Sequence, residues 1–118
     1  MRFLNMIKAR ENMGRPPDAL MVAIAELGEE ALKAGVLVET GGLFPSAMGA
    51  RVRLSGGNLL VTDGPFAEAK ELIGGYAVYQ VETKQEAIGW ASRFMQLHKD
   101  HWPGWEGEAE IRQIFGAE

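Results

Sequence analysis

Short apolar segments separated by glycine- and proline-containing loops predict most of the strands of this chain. The stretch from Arg2 to Ala9 is rich in apolar residues and ends before the loop ENMGRPP, and YAVYQV at 76–81 combines aromatic and β-branched residues. Further strands are expected at 36–39, 51–54, 59–62 and 109–115. The intervening SGGN at 55–58 is typical of a hairpin turn, because glycine tolerates a positive φ.

Apolar residues at helical spacing predict two main helices. In the first, Leu20, Ile24, Leu27 and Ala31 repeat between Pro17, which suits a first helical turn, and a terminating glycine at position 35. The second begins at the capping box TKQE at 83–86. Its apolar face is expected to contain Ala87, Trp90, Ala91, Phe94 and Leu97.

A third, short helix is expected after DGPF at 63–66. Phe66, Ala69 and Ile73 would lie on one side of it, and the glycine pair at 74–75 would end it.

This order of elements indicates one α+β domain over residues 1–118. It is a β-α-β-β-α-β pattern with an inserted β-hairpin, which corresponds to a ferredoxin-like sandwich. Two helices cover one face of such a sheet, yet YAVYQV and FLNMI carry apolar residues on both faces. We therefore expect a homodimer that buries the second face; the alternative is a monomer in which this aromatic face bounds an internal pocket.

Composition excludes several classes of partner. The formal charge of −4 and the absence of a basic cluster argue against nucleic-acid binding. No run approaches the roughly 18 apolar residues of a membrane span, and the apolar part of MRFLNMIKAR is too short for a signal-peptide core. Together with the lack of cysteine, these features lead us to expect a cytoplasmic protein.

The DGPF turn is the first candidate site. Asp63 follows a strand, Gly64 permits close backbone approach, and the amides beyond the proline are free to donate. Asp63 either stabilises its own turn or lies at the mouth of a pocket, where it orients a histidine or acts as a general base, with Phe66 or Tyr76 as an apolar wall.

The stretch LHKDHWPGW is the second candidate site. His98 and His101 share a helix face if the helix persists, and they can then interact with its terminal carbonyls, contribute to a pocket or hold a metal. Trp102 and Trp105 either close a ligand pocket or cover a dimer seam.

Charged residues around the turn offer weaker signals. Glu68 and Glu71 are neighbours on a helix and, with Asp63, can form an acidic cluster, but the spacing is not that of a calcium loop. Arg51 and Arg53 share a hairpin face and either bind an anionic ligand or remain solvated. We expect no metal and no cofactor.

The segments VTDGPFAEAKELIGGYAVYQV, GVLVETGGLFPS, RVRLSGG and GEAEIRQIF resemble those of YCII-related proteins with a DGPF domain. The resemblance implies a dimeric α+β barrel and a small enzyme or ligand-binding protein. It also implies a His–Asp pair in which Asp63 is the acid, although the first helix of this chain contains no histidine. Some relatives look linked to sigma factors, which makes a regulatory role a competing interpretation.

Three functions are consistent with these observations. The first is binding of a small organic molecule near Asp63, with acid–base catalysis by Asp63 and His98 or His101. The ligand would be bound by Gly64, Phe66, Glu68, Arg51, Tyr76 and Trp102. The alternatives are a non-catalytic regulatory or protein-interaction module and a cofactor-independent monooxygenase-like barrel.

Overall fold

The computed structural model describes residues 1–66 and 70–116, which form six strands and two long helices. The elements are β1 (Arg2–Ala9), α1 (Asp18–Lys33), β2 (Leu37–Gly42), β3 (Ala50–Ser55), β4 (Asn58–Asp63), β5 (Leu72–Gln80), α2 (Lys84–His101) and β6 (Gly107–Gln113). Single 3-10 turns at Glu11–Met13 and Ser46–Met48 interrupt two of the loops.

Four strands form an antiparallel sheet in the order β2-β5-β1-β6. β1 is central: Asn5 lies opposite Ala77 of β5 on one side and opposite Ile111 of β6 on the other. The connection of this sheet through α1 and α2 gives a ferredoxin-like α+β fold, as the sequence predicts. The carboxyl ends of β1 and β2 lie at the same edge as the start of β5.

The ends of the two helices follow from local sequence. α1 begins after Pro17 with Asp18 in its first turn, and Gly35 ends it with a φ of 72°. α2 is capped by Thr83, whose hydroxyl oxygen accepts the Glu86 amide at 3.1 Å. In a capping box the Glu86 carboxylate would accept the amide of Thr83 in return. Here it accepts the amide of the preceding residue, Glu82, at 3.4 Å.

The core lies between the helices and one face of the sheet. Phe3, Ala77 and Tyr79 pack from the sheet against Ala87 of α2. Burial alternates along β1, where Phe3, Asn5 and Ile7 are buried and the residues between them are half-buried. The opposite face of the sheet carries Leu4, Met6, Tyr76 and Val78, by the same alternation and register.

β3 and β4 form a separate two-stranded sheet that stands outside the core. Gly56 and Gly57 make its turn with positive φ values, as the sequence predicts. The register places Val52, Leu54, Leu59 and Val61 on one face. These four side chains, called here the hairpin strip, are between 65% and 72% exposed.

One predicted element is wrong. Residues 72–75 belong to β5 instead of a short helix, because Leu72 and Ile73 pair with Ala9 and Lys8 of β1 and extend the central sheet. Ala69, the middle residue of the expected helical face, lies outside the described residues.

Candidate functional site

A large cleft separates the helices from the sheet and opens at the edge where β1 and β2 end. Its volume is about 590 Å³, within the range that small organic ligands occupy. α1 contributes Met21, Ile24 and Leu27, while β1 and β5 contribute a floor that includes Asn5 and Tyr79. The aromatic wall consists of Trp90, Phe94, His98, Trp102 and Trp105. Most of the lining is therefore apolar.

His98 is the titratable group of this aromatic wall. It is 6% exposed although it lies in the last turn of α2, and its Nδ1 lies 3.0 Å from the carbonyl oxygen of Phe94. Because a carbonyl only accepts, Nδ1 carries the proton and Nε2 keeps its lone pair. Burial lowers the pKa of His98 below its ordinary value, partly offset by the bond to Phe94. The imidazole is consequently neutral near pH 7.

Two tryptophans hold the His98 ring in place. The ring centroid of Trp105 lies 4.3 Å from that of His98, and the two indoles are 6.0 Å apart. Phe94 contacts the imidazole from one helical turn earlier, at 4.7 Å. This packing fixes the orientation of the imidazole beside the cleft.

A second cavity of about 510 Å³ adjoins the cleft beside the DGPF turn. Phe66 and Arg51 line it, and the Arg51 guanidinium lies 3.9 Å from the centroid of the Phe66 ring. Glu11, Leu43, Phe44, Pro45, Leu72 and Ile73 line both cavities. The two spaces therefore share a wall.

Three loops meet at Ser46 beside this shared wall. The Glu11 carboxylate accepts the Ser46 amide at 2.5 Å and the Ser46 hydroxyl at 2.6 Å. The same hydroxyl oxygen accepts the Phe66 amide at 3.2 Å, which ties the DGPF turn to the other two loops. The bonds from Ser46 lower the pKa of Glu11, because they stabilise the ionised carboxylate.

Gly64 is required by close packing in the turn. Its amide donates to the Gly49 carbonyl at 2.9 Å, and a Cβ at this position would lie 1.6 Å from the carbonyl oxygen of Ser46. Backbone atoms on both sides leave no room for a side chain, so the glycine of DGPF has a structural explanation.

The structure separates the predicted site residues. His98 and Trp102 line the cleft, whereas Arg51 and Phe66 line the second cavity. Tyr76 borders the cleft from β5, but the register places its side chain on the opposite face of the sheet, beside Met6. Asp63 is exposed at the end of β4 and belongs to the lining of neither cavity. His101 is half-buried at the end of α2 and is likewise outside both linings.

Two further predicted residues have other surroundings. The Tyr76 hydroxyl donates to the Glu39 carboxylate at 2.5 Å, which raises the pKa of Tyr76. Glu68 lies outside the described residues. Catalytic and ligand-binding roles for the predicted residues remain predictions.

Sequence reasoning missed Asn5, Glu11 and Ser46. Asn5 interrupts an apolar strand, and a polar residue at a buried position of such a strand is a recognisable signal. Glu11 and Ser46 are 35 positions apart in loops, and no local pattern connects them.

Within the described ranges, no group of three or more His, Cys, Asp or Glu side chains is placed to hold a metal ion. In the same ranges, no helix is long and apolar enough to cross a membrane.

The fold and the cleft define the class of the molecule as a ferredoxin-like α+β protein with an aromatic cavity beneath its helices. The model of the YCII-related domain matches residues 1–102, so the chain belongs to the YCII-related family. An uncharacterized protein of Rhizobium meliloti (strain 1021) is 31% identical over 74 residues. These residues make up 63% of this chain and 60% of that relative.

Proposed function

We propose that the protein binds a small, mostly apolar organic molecule in the cleft between the helices and the sheet, with His98 as a proton acceptor. The observation that carries this proposal is a neutral, oriented imidazole in the wall of an apolar cavity of ligand size. Apolar walls with few polar groups are typical of small-molecule sites.

The chemistry of His98 supports acid–base catalysis at this position. A neutral imidazole whose Nδ1–H is already bound to the Phe94 carbonyl can accept a proton only at Nε2. A ligand O–H or N–H group placed against this nitrogen would donate a hydrogen bond to it, and Nε2 would accept the proton in a step that makes this group more acidic. The contacts with Trp105 and Phe94 keep the ring from rotating.

The DGPF turn has a supporting role in this proposal. Through Ser46 and Glu11 it positions the loops that form the shared wall of the two cavities. The proposed ligand site is therefore the cleft beside His98, and not the vicinity of Asp63 that the sequence suggested. A direct role of Asp63 in catalysis and a cytoplasmic location remain predictions from the sequence.

We further propose that the active form is a homodimer. The sheet face opposite the helices has an apolar centre at Leu4, Met6 and Val78. Its border is charged, because Lys8 pairs with Glu110 at 2.9 Å and Arg112 pairs with the same carboxylate at 3.3 Å. An apolar centre with a polar rim is the usual composition of a protein interface. The hairpin strip adds a second apolar surface that a partner copy can cover.

Filling the cleft tests the proposed binding site. Gly28 of α1 lines the cleft, and a Cβ added there meets nothing within 4 Å, so the side chain of Gly28→Leu starts in open space at the cleft and should reduce its volume. Gly89→Leu is the matched control, since Gly89 lies on the exposed side of α2 and is also free of contacts.

The measurement is a thermal-shift screen of the three proteins against uncharged aromatic and alicyclic compounds and organic acids. A ligand at about 100 times its Kd stabilises its target by roughly 2.7 kcal/mol. We expect compounds that raise the Tm of the wild type and of Gly89→Leu but not of Gly28→Leu. Equal shifts in all three proteins, or none in the wild type, would contradict binding in the cleft.

A further inference from the structure

Asn5 is the polar residue of the cleft floor whose hydrogen bonds are incomplete. It occupies the centre of β1, is 1% exposed and faces the helices between the apolar side chains of Phe3 and Ile7. Its Nδ2 lies 3.4 Å from the Tyr79 hydroxyl oxygen, which is a long hydrogen bond. Its Oδ1 is buried and has no partner among the residues that the structure describes. Burial of such an atom is unfavourable unless something completes its bonding.

Asn5 and Tyr79 together offer both a donor and an acceptor. With Nδ2 donating to Tyr79, the unused groups are the Asn5 Oδ1 acceptor and the Tyr79 hydroxyl hydrogen. If the amide oxygen and nitrogen are exchanged, the unused groups become the Asn5 amide hydrogens and the Tyr79 oxygen lone pair. In both arrangements the pair can bind one group that donates and accepts.

The charge distribution of the cleft restricts that group further. Among the described lining residues, the ordinarily charged side chains are Arg10 and Glu11, and both are exposed in the loop after β1. The floor and the aromatic wall are apolar apart from uncharged polar groups. Transfer of an ion to such a surface without a counter-charge is strongly unfavourable.

We propose that Asn5 and Tyr79 form the recognition point for an uncharged hydroxyl or amide group on an otherwise apolar ligand. This inference rests on the proposed function, because it specifies the chemistry of ligands for the same cleft. The polar group lies against Asn5 and Tyr79, and the apolar body lies against α1 and the tryptophans. Ionised ligands of the same size are excluded.

Three probes of the same shape test this inference by calorimetry: naphthalene, 2-naphthol and 2-naphthoate. We expect 2-naphthol to bind the wild type about 10-fold more tightly than naphthalene, since one hydrogen bond contributes about that much. We expect 2-naphthoate to bind more weakly than 2-naphthol. A tighter affinity for 2-naphthoate would overturn the assignment of an uncharged group.

Asn5→Leu removes the amide with little change in side-chain size. We expect it to fold with equal or higher stability, because it eliminates a buried unsatisfied oxygen, and to bind 2-naphthol and naphthalene within about twofold of each other. Tyr79→Phe deletes only the hydroxyl and should likewise reduce the preference for 2-naphthol over naphthalene. It therefore serves as an independent variant if Asn5→Leu does not fold.

Thr40→Val is the matched control within the cleft. Thr40 also lines the cavity, but its hydroxyl already donates to the Tyr76 carbonyl at 2.9 Å, so the preference for 2-naphthol should persist. A preference that survives in both Asn5→Leu and Tyr79→Phe overturns the inference and leaves the cleft as a binding site. If the wild type binds none of the three probes, both the proposed function and this inference are overturned.

Discussion

His98 combines burial, a fixed tautomer and a position in a cavity wall, and these properties together make it the most informative residue of the chain. A buried histidine whose Nδ1–H is bound to a backbone carbonyl can be purely structural. The position of His98 in the lining of a ligand-sized cleft is what supports a functional role. The lowered pKa has a consequence for stability that can be measured without knowing the ligand.

The free energy of unfolding should fall as the pH drops below 6.5, the ordinary pKa of histidine. In that range the unfolded chain binds a proton at His98 and the folded chain does not, because burial has lowered the folded pKa. The contribution of neutral His98 to the free energy of unfolding is complete above pH 6.5. It decreases as the pH falls from 6.5 toward the pKa of His98 in the folded chain. Urea unfolding of the wild type and His98→Gln at pH 7.5 and 5.5 measures the difference.

We expect His98→Gln to lose less stability than the wild type between these two pH values. His101→Gln is the matched comparison, because it removes the other imidazole of the same helix end, which lies outside the cleft. Identical pH dependence in the wild type and His98→Gln would show that His98 is not buried in its neutral form.

At this scale the contacts between residues could not be predicted from the sequence. The spacing of His98 and His101 suggested a shared face, but the phase of α2 against the sheet buries one and leaves the other half-buried. The contact of Glu11 with Ser46 depends on how three distant loops pack. Such contacts have no local sequence signature.

The β3–β4 hairpin is an element whose hairpin strip stays exposed among the residues that the structure describes. A two-stranded hairpin in water is marginally stable at best, and the hairpin strip has no partner surface among the described residues. The turn and the two strands were predictable from SGGN and the flanking residues. Their separation from the main sheet was not, because the apolar pattern does not specify which surface a strand pairs with.

Substitutions on the two faces of the hairpin test the homodimer. Leu54→Lys places a charge in the hairpin strip, so we expect the dissociation constant of the dimer to rise at least 10-fold. Leu60→Lys is the control, because Leu60 lies on the opposite face beside Arg53 and is also exposed. Sedimentation equilibrium at micromolar concentrations measures both variants.

A wild type that sediments as a monomer would contradict the dimer. The exposed hairpin strip would then favour the alternative function as an interaction module, with another protein as its partner. If both substitutions weaken the dimer equally, the hairpin strip is not the face of the hairpin that the partner copy covers.

On the scale of the whole molecule, the ferredoxin-like fold follows from the order of strands and helices along the chain. The model of the YCII-related domain matches residues 1–102, which include both long helices and the strands β1 to β5. The cleft could not be predicted in this way, because its volume depends on how far the helices stand from the sheet. Gly28 and Ala31 of α1 and Ala77 of β5 are small residues of the cleft lining, and small side chains leave space between a helix and a sheet.

The three tryptophans of the chain make the cleft directly observable, since Trp90, Trp102 and Trp105 all line it. The most direct measurement is a titration with 2-naphthol, followed through the three indole N–H signals in two-dimensional NMR spectra of the ¹⁵N-labelled protein. We expect the three signals to shift with a single Kd while the backbone amides of the hairpin turn at 55–58 stay in place. Indole signals that do not move up to the solubility limit, or shifts confined to the hairpin, would contradict a ligand site in the cleft.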